Sequence, residues 1–208
     1  MNNEIIVILD RSGSMCTIQA DMEGGLNSFV AEQKLVDDPD CKFTFVTFDN
    51  EYEIELDGVP LQEVPALKLV PRGSTALLDA VGRTLVEVGL RHMNTHDGTS
   101  GKVIVLIITD GQENASQEFK LEQVKDMIET QRQERGWQII YLGADVDAFA
   151  EAGAMGVIRG QTISYDKTPQ STAALFSTTA ANASNFRSGI AANMDYTEAQ
   201  REEIKPAT

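Results

Sequence analysis

Asp10 and Asp110 each stand directly behind an apolar run, and each begins a tight loop. Asp10-Arg11-Ser12-Gly13-Ser14 follows Ile5-Ile6-Val7-Ile8-Leu9, and Asp110-Gly111 follows Val103-Ile104-Val105-Leu106-Ile107-Ile108-Thr109. Between them, Gly73-Ser74-Thr75 opens a helical stretch. Together these loops offer two carboxylates (Asp10, Asp110) and three hydroxyls (Ser12, Ser14, Thr75), with no sulfur or imidazole. An all-oxygen set of this kind suits a hard cation and not zinc. Few ligands on short side chains imply an octahedral ion that keeps several waters, which favours Mg2+ or Mn2+ over Ca2+ with its larger shell. Two carboxylates just balance a divalent charge, so such an ion retains electrophilicity for one further anionic oxygen.

D-R-S-G-S at 10 to 14, G-S-T at 73 to 75 and T-D-G at 109 to 111 resemble the metal-ion-dependent adhesion site of the von Willebrand factor A family. The three segments come in the family's order, and the likeness runs from about Glu4 to about Phe186. One such segment is a weak signal; three in register are a strong one. The resemblance implies a non-enzymatic protein-binding module in which a partner's Glu or Asp carboxylate completes the coordination of the ion. Which of the five residues bind directly and which through water stays open. Gln112, Glu113 and Asn114 continue the Asp110 loop and could orient waters, although relatives often carry an acid where this chain has Gln112. Asp79 lies one helical turn after Thr75, to hold the first loop or favour the helix N-terminus. Asp145 would reach only the rim. Gly13 suits a tight loop, and Thr75 has the alternative of capping its helix.

Two other readings compete. Strand-end aspartates also serve phosphohydrolases of the haloacid dehalogenase type, whose nucleophilic Asp is followed two positions later by an acid/base Asp. Here that position is Ser12, and Lys102 precedes its strand and so belongs at the wrong end of the sheet. The remaining alternative is a metal-free structural interaction domain. His92 and His96 are one helical turn apart, but lack the Glu of H-E-x-x-H and read as solvated caps near a helix end. Neither a phosphate-binding loop nor a G-x-S-x-G elbow is present, so no nucleotide and no serine nucleophile is expected.

The apolar runs 5–9, 103–108 and 139–142 lack alternation, as in central parallel strands covered on both faces. Runs 43–48 and 52–56 flank the turn pair Asp49-Asn50. In the second, Tyr52, Ile54 and Leu56 alternate with Glu53 and Glu55, which reads as an antiparallel edge strand. Helical stripes follow: Met22, Leu26, Phe29 and Val30; Leu78, Val81, Leu85 and Val88; then Leu121, Val124 and Ile128. A short helix is expected over 147–152, a longer one over 171–186, and a last strand within 155–163. Strand-helix alternation gives an α/β, three-layer, Rossmann-like doubly wound sheet, mostly parallel with one antiparallel edge. Ligands bind such sheets beyond the strands' carboxyl ends, where strand order reverses. Asp10 and Asp110 would flank that point. One domain over 1–190 is expected, with 191–208 a polar tail, frayed or forming one solvated turn.

The chain has 208 residues, a net charge of −15 and a pI near 4.4, which disfavours nucleic acid and anionic lipid as partners. Cys16 and Cys41 form no zinc pattern and would lie at opposite ends of the sheet, so both are expected to be buried thiols rather than a disulfide. Met1-Asn2-Asn3-Glu4 has no basic run, and no apolar stretch approaches the roughly 18 residues of a membrane span. A cytoplasmic location is therefore expected.

Overall fold

The computed structural model describes residues 3–93, 101–144 and 147–205. Among these residues, six strands form one sheet: β1 Glu4–Asp10, β2 Lys42–Phe48, β3 Tyr52–Pro60, β4 Val103–Thr109, β5 Gln138–Ala144 and β6 Thr162–Tyr165. Their order is β3-β2-β1-β4-β5-β6, and only the β2/β3 pairing is antiparallel. The chain builds outward from β1 to one edge and then restarts at β4 on the other side of β1. The strand-order reversal thus falls between β1 and β4, the two strands that lead into Asp10 and Asp110.

β1 and β4 are buried along their whole length, which is why their sequences are apolar without alternation. Ile5, Val7 and Leu9 face one core with Ile104, Leu106 and Ile108. That face is covered by α1 (Gln19–Gln33) and α5 (Pro169–Arg187), through residues such as Phe29 and Phe176. Ile6 and Ile8 face the opposite core with Val105 and Ile107, under α2 (Leu77–Met93), α3 (Leu121–Arg135) and α4 (Ala148–Ala154). Helix α4 begins one residue after the expected start, and β6 lies later than expected, sharing only Thr162 and Ile163 with the stretch 155–163 and running on to Tyr165. Among the described residues, no helix is long and apolar enough to cross a membrane.

The edge strand departs from simple alternation. Tyr52 packs with the α2 side and Leu56 with the α1 side, although equal parity should have put them on one face. The cause is a register shift: Leu56 pairs with Phe45 but Ile54 with Val46, so the bulge at Glu55 reverses the faces.

The C-terminal segment is not a frayed tail. Met194, Tyr196 and Ile204 are buried, and residues Glu198–Ile204 form a further helix, α6. Its N-terminus is closed by Thr197 and Gln200 in a reciprocal cap. Ser171 Oγ donates to the Ile204 carbonyl at 2.6 Å, and the Tyr196 and Thr179 hydroxyls lie 2.6 Å apart. Polar composition hides three apolar anchors spaced along this segment. Cys41 is buried as expected, and burial pushes its thiol up to about 12, whereas Cys16 is exposed on the short 3-10 turn Gly13–Ile18. Ile204→Ala should cost about 2–5 kcal/mol, the usual range for a large aliphatic deletion at a closed site. Chemical denaturation of the variant would measure this; a solvated tail would give a change near zero.

Candidate metal centre

The three loops converge. Ser12 Oγ and Ser14 Oγ lie 3.0 Å apart, and Ser14 Oγ donates to Asp110 Oδ1 at 2.5 Å, joining the first loop to the third. Gly111 marks the centre. A Cβ added there would lie 3.3 Å from Thr75 Oγ1, 3.5 Å from Ser14 Oγ and 3.9 Å from Asp10 Oδ2. All five expected residues therefore surround one small space. Asp10, Ser12, Thr75 and Asp110 are buried while Ser14 is exposed, so the cup opens to solvent on the Ser14 side.

Asp10 is held from both sides, accepting hydrogen bonds from the Ser12 N–H at 2.6 Å and from Thr109 Oγ1 at 2.7 Å. Burial still pushes its carboxyl above its ordinary value, with the neighbouring Asp110 charge adding to the effect. Asp110 Oδ2 is buried and accepts no hydrogen bond, although the Lys167 ammonium lies 2.9 Å away.

The donor set fits a hard divalent cation: two adjacent carboxylates, three hydroxyls, one buried carboxylate oxygen that has the Lys167 ammonium beside it but accepts no hydrogen bond, and a glycine where a side chain would intrude. Among the described residues, no group of three or more His, Cys, Asp or Glu side chains is gathered for a metal. The hydroxyls are thus needed to complete any coordination here.

The loops are fixed to one another before any ligand arrives. Thr75 N–H donates to Asn114 Oδ1 at 3.0 Å, and its carbonyl accepts from the Asn114 and Ala115 N–H groups. Asn114 thus positions the Thr75 backbone. Glu113 accepts from the N–H groups of Leu78, Ala115 and Ser116, so it serves the α2 N-terminus. With Leu78 and Asp79 N–H taken by Glu113 and Ser116, Thr75 is not required as a cap. Asp79 holds the third loop rather than the first, accepting from the N–H groups of Gln117, Glu118 and Phe119. Gln112 is exposed, and Asp145 and His96 lie outside the described residues. Lys102 is at the far end of the sheet, donating to the Phe186 carbonyl. His92 is not a solvated cap: it meets the buried Glu4 at 2.8 Å and packs edge-on against Trp137.

Asp49, read from sequence as half of a turn pair, is fully buried and links two of the loops. Arg11 Nε at 3.0 Å and Arg72 Nε at 2.7 Å both donate to its Oδ2, and these arginines belong to the Asp10 and Gly73 segments. Backbone bonds run in parallel: Gly13 N–H to the Gly73 carbonyl, Arg72 N–H to the Arg11 carbonyl and Ala76 N–H to the Asp49 carbonyl. The strict glycine requirement falls at Gly73, with φ +70° and an added Cβ only 2.3 Å from Asn50 Oδ1. At Gly13 the added atom would make ordinary contact.

Burial alone would raise the Asp49 carboxyl, but the bonds from Arg72, the Glu51 N–H and the Arg11 charge hold it below its ordinary value. The Arg11 bond likewise holds exposed Glu53 at about 2. Both depressed acids contribute stability that is full above the ordinary carboxylate range and lost as pH falls through the folded-state value. Asp49→Asn should therefore lower the melting temperature at neutral pH, and the gap from wild type should narrow as the pH is taken down through the range below the ordinary aspartate value of about 3.9. A gap that stays constant in melts across this range would contradict the network's role.

No family model matches the chain, and no curated protein sequence does either. Solved structures do. Proximal thread matrix protein 1 of the mussel byssus, solved with a zinc-occupied MIDAS motif, aligns at a TM-score of 0.62 and 15% identity, over 88% of this chain and 46% of that one. The von Willebrand factor type A structure from Catenulispora acidiphila aligns at 0.56 and 20%, over 88% and 43%. The vWF domain of the type V pili tip protein Mfa5 from Porphyromonas gingivalis aligns at 0.58 and 11%, over 88% and 95%. The chain thus spans less than half of the first two. With its six-stranded sheet, single antiparallel edge and helices on both faces, this chain has the von Willebrand factor A fold.

Proposed function

We propose that this domain is a metal-dependent protein-binding module whose site accepts an acidic side chain from a partner protein. The observation that carries the reading is the convergence of Asp10, Ser12, Ser14, Thr75 and Asp110 around Gly111. When bound, a Mg2+ or Mn2+ ion supplies a Lewis-acid position for one more anionic oxygen. Asp10 and Asp110 provide the charge that retains it, and the three hydroxyls complete its surroundings without further negative charge. Ser14, on the exposed side, lies where a partner's Glu or Asp would approach. The zinc in the MIDAS motif of the mussel protein supports a divalent ion in this fold, and the Mfa5 domain's setting in a pilus tip protein supports a role in protein assembly.

An enzymatic role is weaker. Lys167 supplies, beside Asp110, the cation that Lys102 cannot. Yet Ser12 and Gln112 stand two positions after the aspartates, where a phosphohydrolase of this type needs an acid.

Adding Mg2+ or Mn2+ to chelator-treated protein should raise its melting temperature by several degrees at concentrations well above Kd, about 2.7 kcal/mol at a hundredfold excess. Asp10→Ala and Asp110→Ala should each abolish the rise. An unresponsive wild type would favour a metal-free structural domain. Affinity capture with and without chelator, using wild type and the Ser12→Ala/Ser14→Ala variant, should lose the same proteins in both perturbed arms. Metal-dependent hydrolysis of a generic phosphate ester that disappears in Asp10→Ala would overturn the binding reading.

A further inference from the structure

Lys167 has no counterpart in the three motif segments, and it lies in the short β6–α5 connection, 57 residues beyond Asp110. Its Nζ is 2.9 Å from Asp110 Oδ2 and donates instead to the Asp110 carbonyl at 3.2 Å. The Asp110 side chain is fully buried, and its other oxygen is already taken by Ser14. The lysine side chain is 29% exposed, so its arm has a path into solvent that the carboxylate lacks. The root of that arm is pinned. Thr168 caps α5 through the Ser171 N–H, the Asp166 N–H donates to Ser171 Oγ, and Lys205 from the C-terminal segment holds Asp166 at 3.0 Å. A fixed backbone with a long flexible arm lets the charge leave without disturbing the loop.

We infer that Lys167 is a built-in counter-ion of the site, paired with Asp110 until a divalent cation takes its place, so that displacement of this one side chain sets the affinity for metal. The inference rests on the metal-binding reading above. Charge supplies the reason. Two carboxylates and one ammonium leave the cup with one negative charge, and a divalent ion in place of the ammonium leaves none. Keeping both cations beside Asp110 would bring like charges within a few ångströms in a buried setting, where repulsion is poorly screened. Arg11 does not share this role, because its guanidinium is turned to Asp49 and Glu53.

The test is calorimetric titration of Mn2+ and of Mg2+ into chelator-treated wild type, Lys167→Met, Asp110→Asn and the Asp110→Asn/Lys167→Met double variant, with melting curves in chelator. Lys167→Met should bind Mn2+ roughly tenfold more tightly than wild type. It should also melt lower in chelator, because Asp110 then has no cation beside it. In the Asp110→Asn background, where metal binding is lost, adding Lys167→Met should no longer lower the melting temperature in chelator, because the pair it would break is already gone. Lys167→Gln repeats the test if the methionine variant folds poorly, and Lys167→Arg, which keeps the charge, should not tighten binding. Equal or weaker affinity in the neutral variants overturns the role of Lys167 while leaving metal binding intact. If neither wild type nor the neutral variants bind metal, the metal reading falls and this inference falls with it.

Discussion

Two carboxylates of like charge sit side by side under cover, at the ends of the two strands that flank the reversal of strand order. Everything near the site answers to that confinement. A parallel sheet gathers the carboxyl ends of its strands on one edge, and the reversal between β1 and β4 leaves a gap there that no crossover helix fills. Asp10 and Asp110 occupy the gap, 0% and 5% exposed, against a penalty for keeping ions away from water. A hydroxyl or amide meets three of their four oxygens, and a lysine ammonium stands beside the fourth.

Rigidity around this pair comes from carboxylates placed elsewhere. Asp49 binds the arginines of the first and second loops, Glu113 ties the third loop to the start of α2, and Asp79 gathers the N–H groups that follow. Each of these acids is spent on structure. An abundance of acid in the chain therefore does not translate into a crowd of metal ligands: among the described residues, no group of three or more acidic, histidine or cysteine side chains is gathered for an ion. Beside this firm scaffold stands the partly exposed arm of Lys167, the element we propose gives way to a metal ion.

Much of this was readable from residue order. Uninterrupted apolar runs ending in Asp10 and Asp110 identify central strands and the edge at which their aspartates emerge, because burial on both faces leaves no room for polar alternation. What escaped the sequence reading depends on contacts between distant segments. Lys167 carries no motif and reaches Asp110 through the β6–α5 connection. Asp49 has the composition of a turn, and its two arginines are 38 and 23 residues away. Glu53 looked like the wet side of an edge strand, but its carboxylate is within 2.7 Å of Arg11. The segment after residue 190 misled through its polar average, since Met194, Tyr196 and Ile204 are too widely spaced to form a stripe. Local pattern records which face of an element is dry; it does not record which distant charge a buried ion has found.

The most direct measurement is an X-ray structure of crystals grown with Mn2+, with anomalous diffraction used to find the metal. A single strong anomalous peak is expected beside Gly111, within about 2.0–2.3 Å of some of the oxygens of Asp10, Ser12, Ser14, Thr75 and Asp110 or of waters they hold, with the Lys167 ammonium withdrawn from Asp110. A map with no peak between these residues at saturating Mn2+, or with the ion bound elsewhere on the acidic surface, would contradict a metal centre at the strand-order reversal.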